Sequence, residues 1–225
     1  MGRTILFDLD GTLVDTVPDL AASLNRSLGA AGLAPFAPEE VAGMVGAGMA
    51  TLLARALAAR GRAPDSALLA RFHADYLAAV AGASRPFPDV AETLVALEEV
   101  GWRMAICTNK AELAARKLLQ ALGLENFFVA LGGGDSFAVK KPDPGHLLAS
   151  LAAAGGEPAR AVMIGDHAND VAAARAAGVV SVFVLLGYGR AEMAHGTETI
   201  MNIKELQNLL ESLVPAQPAE RGNAP

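Results

Sequence analysis

From Arg85 onward, short apolar runs alternate with segments of helical periodicity, and this alternation restricts the architecture more than any other feature. The pattern predicts helix over Val90–Val100, strand over Trp102–Cys107, helix over Glu112–Leu122, strand over Phe127–Leu131 and helix over Gly145–Ala154. A strand over Ala161–Ile164, a helix over Asp170–Ala177, a strand over Val179–Leu186 and a helix over Ile203–Leu213 complete the series. Gly101, Gly123 and Gly178 stand where helices should end. Thr4–Phe7 adds an apolar strand at the other end of the chain. Strands separated by helices imply an α/β fold with a doubly wound parallel sheet and right-handed crossovers. Composition agrees, because 52% apolar with only 5% aromatic residues gives an aliphatic core suited to helices packed on a sheet.

Residues 17–84 depart from this pattern. Apolar residues recur at helical spacing in Pro18–Ala31, Pro38–Arg60 and Pro64–Ala81, with prolines near the starts and Gly32 and Gly61 near the ends. No strand-like run interrupts them. The expectation is a helical insertion, residues 16–85, within a core made of residues 1–15 and 86–214. Gly46-Ala47-Gly48-Met49 breaks the middle run, either as a loop facing a substrate or as a point of close helix packing. The tail from Pro215 to Pro225, rich in Pro, Ala and Gly, is expected to be disordered.

The net charge of −6 with no basic block argues against nucleic-acid or membrane-surface partners. No apolar run reaches membrane-spanning length, and the N-terminus lacks the features of a secretory signal. The single Cys107 lies within an apolar strand, so a buried, inert thiol in a reducing compartment is expected, and with it a cytoplasmic location. Apolar helix faces in the insertion allow a monomer or a homodimer.

In a doubly wound sheet the ligand lies beyond the carboxyl ends of the strands, and there the unusual polar residues gather. Thr4–Phe7 runs into Asp8-Leu9-Asp10-Gly11-Thr12, two acids that begin on one face of an extended chain. Two close carboxylates repel unless a cation lies between them or one keeps its proton, and a hard divalent ion such as Mg2+ suits oxygen ligands. Trp102–Cys107 ends in Thr108-Asn109-Lys110, which reads as an anion cradle, with Thr108 as a helix N-cap the alternative. Lys140-Lys141-Pro142-Asp143-Pro144 sets two lysines on a rigid turn. Ala161–Ile164 ends in Gly165-Asp166-His167-Ala168-Asn169-Asp170, where Asp170 doubles as a possible helix cap. Acids for a metal beside cationic and N–H donors suit a phosphoryl group. No Walker loop and no GxGxxG after a strand are present, which disfavours NTPases and dinucleotide enzymes.

The DLDGT stretch, the strand-end Thr108, Lys141 before Pro142, and Asp166 with Asp170 resemble, in order and spacing, the four motifs of the haloacid dehalogenase superfamily. FDLDGTLVDTxPDL, KPxP and GDxxND resemble its phosphoglycolate phosphatases in particular. The resemblance implies a Rossmann-like core, a four-helix cap between the first two motifs, and Mg2+-dependent hydrolysis of a small phosphate ester. It implies that Asp8 is the nucleophile and Asp10 the acid and base, and that Asp8, the Asp10 carbonyl, Asp166 and Asp170 serve the metal. Thr108, Asn109 and Lys141 would hold the phosphate, with Gly46 and Gly48 near the substrate. Asp10 argues against dehalogenation, and the lack of any lysine between Leu13 and Pro86 argues against a Schiff-base phosphonate hydrolase. A phosphomutase and a non-enzymatic phosphate-binding regulator are the alternatives. His167-Ala168 departs from the Ser-Arg commoner in relatives with similar caps; His167 reads either as a proton-transfer group or metal contact, or as a solvent-facing turn residue. His73, His146 and His195 have no partner motif and are assigned no role.

Overall fold

A computed structural model describes residues 2–215, so all of the proline-rich tail except Pro215 lies outside the described residues. In chain order the strands and α-helices are β1 (Thr4–Phe7), β2 (Val14–Asp15), α1 (Val17–Ala30), α2 (Pro38–Ala42), α3 (Met49–Ala59), α4 (Ser66–Ala78), β3 (Arg85–Pro86), α5 (Val90–Glu99), β4 (Arg103–Cys107), α6 (Glu112–Ala121), β5 (Ala130–Gly132), α7 (Pro144–Ala153), β6 (Ala161–Gly165), α8 (Ala168–Ala177), β7 (Val180–Val184), β8 (Glu198–Ile200) and α9 (Leu206–Leu213).

Six strands form one parallel sheet in the order β5-β4-β1-β6-β7-β8. β1 is central, with Phe7 opposite both Ile106 and Ile164. Its alternate side chains serve two different cores. Ile5 and Phe7 join Leu94, Leu118 and Leu210 on the face covered by α5, α6 and α9. Leu6 joins Leu147, Leu151 and Ala174 on the face covered by α7 and α8. Because both faces are covered, β1 reads as a continuous apolar run with no polar alternation. Ile5, Leu6 and Phe7 are fully buried, each worth about 1.5–3 kcal/mol of transfer free energy.

The departures from expectation are short pieces. β8 has only three residues, two of them exposed, and gives no apolar run to read. The first part of the expected strand at 127–131 is a 3-10 turn, Glu125–Phe127, and pairing starts only at Ala130. β2 and β3 form a two-stranded antiparallel ladder, Val14 opposite Pro86 and Asp15 opposite Arg85, that the sequence did not signal. This ladder brackets α1–α4, so the chain leaves for the helical segment and returns from it side by side. The Asp19 carboxylate reinforces the crossing, accepting from the Ala83 and Ser84 amides and the Ser84 hydroxyl at 2.6–3.0 Å. The middle helical run is broken as expected, with α2 ending at Ala42 and α3 starting at Met49; Gly46 and Gly48 both adopt positive φ in between. Among the described residues no helix is long and apolar enough to cross a membrane.

Candidate active site

The carboxyl ends of β1, β4 and β6 meet at one edge. Asp8 directly follows β1, and its amide donates to Ile164 O of β6 at 2.8 Å. Asp166 directly follows β6, and Asp170 lies in the first turn of α8. Asp8, Asp166 and Asp170 are all buried, and each offers a carboxylate oxygen within 4.8 Å of the others. Gly11 makes the close approach possible. At φ 83° it turns the chain away, and a Cβ there would lie 2.2 Å from Asp166 Oδ2.

The electrostatics of this cluster follow from burial. Desolvation, with repulsion from Asp8 and Asp170, pushes the Asp166 carboxyl well above the ordinary carboxylate range. Asp166 accepts from Thr12 Oγ1 at 3.2 Å and from the Tyr188 and Gly189 amides at 2.9 and 3.1 Å, which oppose the rise. Burial also lifts Asp170 to about 7, against the pull of Lys141 and with the help of Asp8. Lys141 Nζ lies 2.6 Å from Asp170 Oδ1 and 3.2 Å from Asp8 Oδ1, and it donates to Cys107 O. Burial by itself would discharge this lysine, but the two carboxylates outweigh it and hold the ammonium above its ordinary pKa. Asp8 Oδ1 and Asp170 Oδ1 remain buried without a hydrogen-bond donor in good geometry. Three acids facing one ammonium leave surplus negative charge, so the site fits a small oxygen-liganded cation.

The Asp10 carboxylate faces elsewhere. It accepts from Thr16 Oγ1 at 2.8 Å and pairs with Lys110 Nζ at 2.8 and 3.1 Å, so its side chain lies outside the acid cluster. Thr108 is not a helix cap: α6 is capped at Ala111, and Thr108 Oγ1 accepts the Lys110 amide at 3.3 Å. Asn109 Nδ2 bridges Gly46 O and Lys141 O, both at 3.0 Å. Gly46 and Gly48 are thus brought to the edge from the helical segment, and Lys140 Nζ joins them by donating to Ala47 O at 2.9 Å. Asp170 does two jobs, accepting the His167 amide as part of a capping box while pairing with Lys141. His167 is a half-buried N-cap whose Nδ1 accepts the Asn169 amide at 3.1 Å, and its ring packs against Gly46.

Four residues that sequence reasoning left without a role support this edge. His146 is fully buried; its Nδ1 accepts the Lys141 amide at 3.2 Å and its Nε2 meets Gly133 O at 3.0 Å. Desolvation first, then the Lys141 charge, lowers it to about 4, so it is neutral. The Tyr188 hydroxyl donates to Asp15 Oδ1 and accepts the Thr16 and Val17 amides, fastening the start of α1 to the loop after β7. Thr16 orients Asp10, and Asp19 ties the ladder. Position in a helix or loop gives no hint of such partners; the one usable signal was an acid in the first turn of α1 that ordinary capping did not require.

Above the acids a cavity of about 190 Å³ is lined by Asp8, Asp10, Thr108, Asn109 and Lys110 from the sheet edge and by residues of the helical segment, including Leu20, Met49, Leu52 and Tyr76. That is below the ~300–1,000 Å³ of pockets for drug-sized ligands, so the space suits a small molecule.

Comparison with known proteins accords with this arrangement. The sequence profile of haloacid dehalogenase-like hydrolases matches residues 3–178. The chain belongs to this family. It is 46% identical over 187 residues to a phosphoglycolate phosphatase of Agrobacterium fabrum, covering 81% of this chain and 80% of that one. A crystal structure described as a predicted phosphoglycolate phosphatase, from Haemophilus somnus, superposes with a TM-score of 0.85 at 29% identity, over 92% of this chain and 97% of that one. CbbY from Rhodobacter sphaeroides, crystallised with xylulose-(1,5)-bisphosphate, superposes with a TM-score of 0.76 at 26% identity, over 92% and 96% of the two chains. Within the family the chain is therefore phosphoglycolate phosphatase-like.

Proposed function

We propose that the protein is a Mg2+-dependent phosphatase that hydrolyses a small phosphate monoester, with phosphoglycolate favoured, through a phosphorylated Asp8. The class of reaction, phosphoric monoester hydrolysis, rests on kinship with phosphoglycolate phosphatases at 45–47% identity. The observation that carries the mechanism is the set of three buried acids within 4.8 Å of one another, facing Lys141 at the end of the central strands.

In this reading Asp8, Asp166 and Asp170, with the Asp10 backbone carbonyl, would hold Mg2+. The bound ion would supply charge neutralisation at the phosphoryl oxygens. Lys141, 3.2 Å from Asp8 Oδ1, offsets the repulsion between that carboxylate and an incoming phosphate. Asp8 attacks phosphorus, the ester oxygen leaves with a proton from Asp10, and Asp10 later takes a proton from the water that hydrolyses the aspartyl-phosphate. Thr108 and Asn109 hold the phosphate oxygens. Thr16 fixes the Asp10 carboxylate off the acid cluster, as a proton carrier requires.

Residues 16–85 act as a cap on a core of residues 1–15 and 86–214. The paired β2–β3 crossing is its hinge, and closure excludes bulk water from the phosphorylated intermediate. A reducing cytoplasm suits a chain whose single cysteine, Cys107, is buried and free.

Phosphate release from phosphoglycolate, with and without Mg2+, tests the reading. Activity that needs Mg2+ and falls by at least ~1,000-fold in Asp8→Asn is expected. An Asp8→Asn protein with full activity would refute the nucleophile. Conversion of a sugar phosphate to its isomer with no net phosphate release would indicate a mutase.

A further inference from the structure

Among the described residues, Lys110 is the only lysine or arginine lining the cavity. Its side chain is 5% exposed, and its ammonium lies between the Asp10 carboxylate and the face of Tyr76, 4.6 Å from the ring centroid. Desolvating an ammonium costs several kcal/mol, so a lysine is kept in such a place only by anionic partners. Asp10 provides two acceptor atoms, while the ammonium has three donors. Beside it, Tyr76 of α4 is completely buried, and its hydroxyl makes no hydrogen bond at normal distance, with the Lys110 ammonium as a polar neighbour; a buried hydroxyl left so costs about 1–3 kcal/mol. Among the described residues, Asp10 is the only acid paired with the Lys110 ammonium.

This pair matches one kind of leaving group. In a phosphorylated 2-hydroxy acid the ester oxygen and a carboxylate oxygen are separated by two carbons, about 3 Å apart. Asp10 and Lys110, 2.8 Å apart, present a proton carrier and a cation at the same spacing. We propose that Lys110 Nζ and the Tyr76 hydroxyl are the groups that bind the carboxylate of the leaving group, and so set the preference of this site for phosphoglycolate over esters without a carboxylate. The proposal rests on the phosphatase reading for its orientation, since the leaving group must emerge beside Asp10. Leu20, Met49 and Leu52 give the cavity an apolar wall, against which an unpaired polar group would be costly.

The test compares phosphoglycolate with ethyl phosphate, which carries a methyl group in place of the carboxylate, in the wild type, Lys110→Met, Lys110→Arg and Tyr76→Phe. The readout is the ratio of kcat/KM for the two esters. A wild-type preference for phosphoglycolate that falls by at least ~30-fold in Lys110→Met, and less in Lys110→Arg, is expected. Tyr76→Phe, which removes only the hydroxyl, lowers the ratio in the same direction and serves alone if Lys110→Met does not fold. An unchanged ratio, even with both rates reduced, assigns Lys110 to holding Asp10 and overturns the proposal. Equal turnover of the two esters by the wild type overturns it too while leaving the phosphatase reading intact. If the wild type hydrolyses neither ester, calorimetric binding of both to the Mg2+-supplemented protein decides. A phosphoglycolate preference lost in Lys110→Met then upholds the carboxylate site without the phosphatase, and no preference rejects it.

Discussion

His146 ties the stability of the protein to pH in a calculable way. It is buried and neutral, lowered to about 4 from the 6.5 of an unstrained imidazole. Between those values the unfolded chain takes up a proton that the native state refuses. Stability from this residue is therefore complete above pH 6.5 and is lost as pH falls towards 4, at about 1.4 kcal/mol per pH unit and ~3 kcal/mol in all. The residue is fully buried, so solvent screening does not reduce the figure. The perturbation is His146→Gln, which keeps an amide able to reach a carbonyl but cannot titrate. Urea unfolding, followed through the fluorescence of the buried Trp102 at half-unit steps from pH 7.5 to 4.5, gives both curves. The variant is expected to be less stable by about 1–2 kcal/mol at pH 7.5, because one hydrogen bond is lost. It is expected to be the flatter of the two, so that the difference shrinks or reverses near pH 5. The raised carboxyl of Asp170, which titrates within this range, affects both proteins alike, as do the carboxylates that titrate lower down. Parallel curves throughout would refute the reasoning, because they would mean that His146 takes up its proton in the native state at no cost.

Two further outcomes follow from the same geometry. Lys141→Met strips the cation from three buried acids and should destabilise the fold by about 3–5 kcal/mol in urea without divalent ions, with saturating Mg2+ restoring part of the loss; equal losses with and without Mg2+ would contradict the site as described. Gly46→Ala places a Cβ 2.3 Å from His167 Cδ2 at a residue with φ 105°, so this loop must move away from the sheet edge. KM should rise by ~10-fold or more with a melting temperature near that of the wild type, and unchanged kinetics would show that the contact does not matter to turnover.

Most of the fold was legible because its signals are local. β1, β4 and β6 announce themselves as apolar runs since both faces of the sheet are covered, and their ends fall beside the acids and Thr108 because parallel strands all deliver their carboxyl ends to one edge. β8 was not legible, being short and half-exposed at the edge of the sheet. β2–β3 was not legible because its pairing joins residues some seventy positions apart and spans two residues a side. The acids at 8, 166 and 170 could be assigned to one edge because they follow parallel strands, but that β1 and β6 are neighbours, which brings them together, came from the structure. The surroundings of Asp10 could not be assigned, since its partners Thr16 and Lys110, and Tyr76 beyond the lysine, come from three parts of the chain whose meeting depends on how α1–α4 seat on the sheet. His146 was unreadable for a similar reason: a histidine one turn into a helix gains its role only when the Lys140–Pro144 turn folds back over it.

The central place of β1 also sets a timetable for folding. Thr4 pairs with Arg103 and with Ala161, roughly a hundred and roughly a hundred and sixty residues further along. At synthesis rates of about 5–20 residues per second, the first strand waits on the order of 5–20 s before its first neighbour exists, and longer before the second. Meanwhile α1 and α4 can pack on one another as soon as both have emerged. The helical segment can thus form before the sheet does, and the sheet closes last around the strand that was made first.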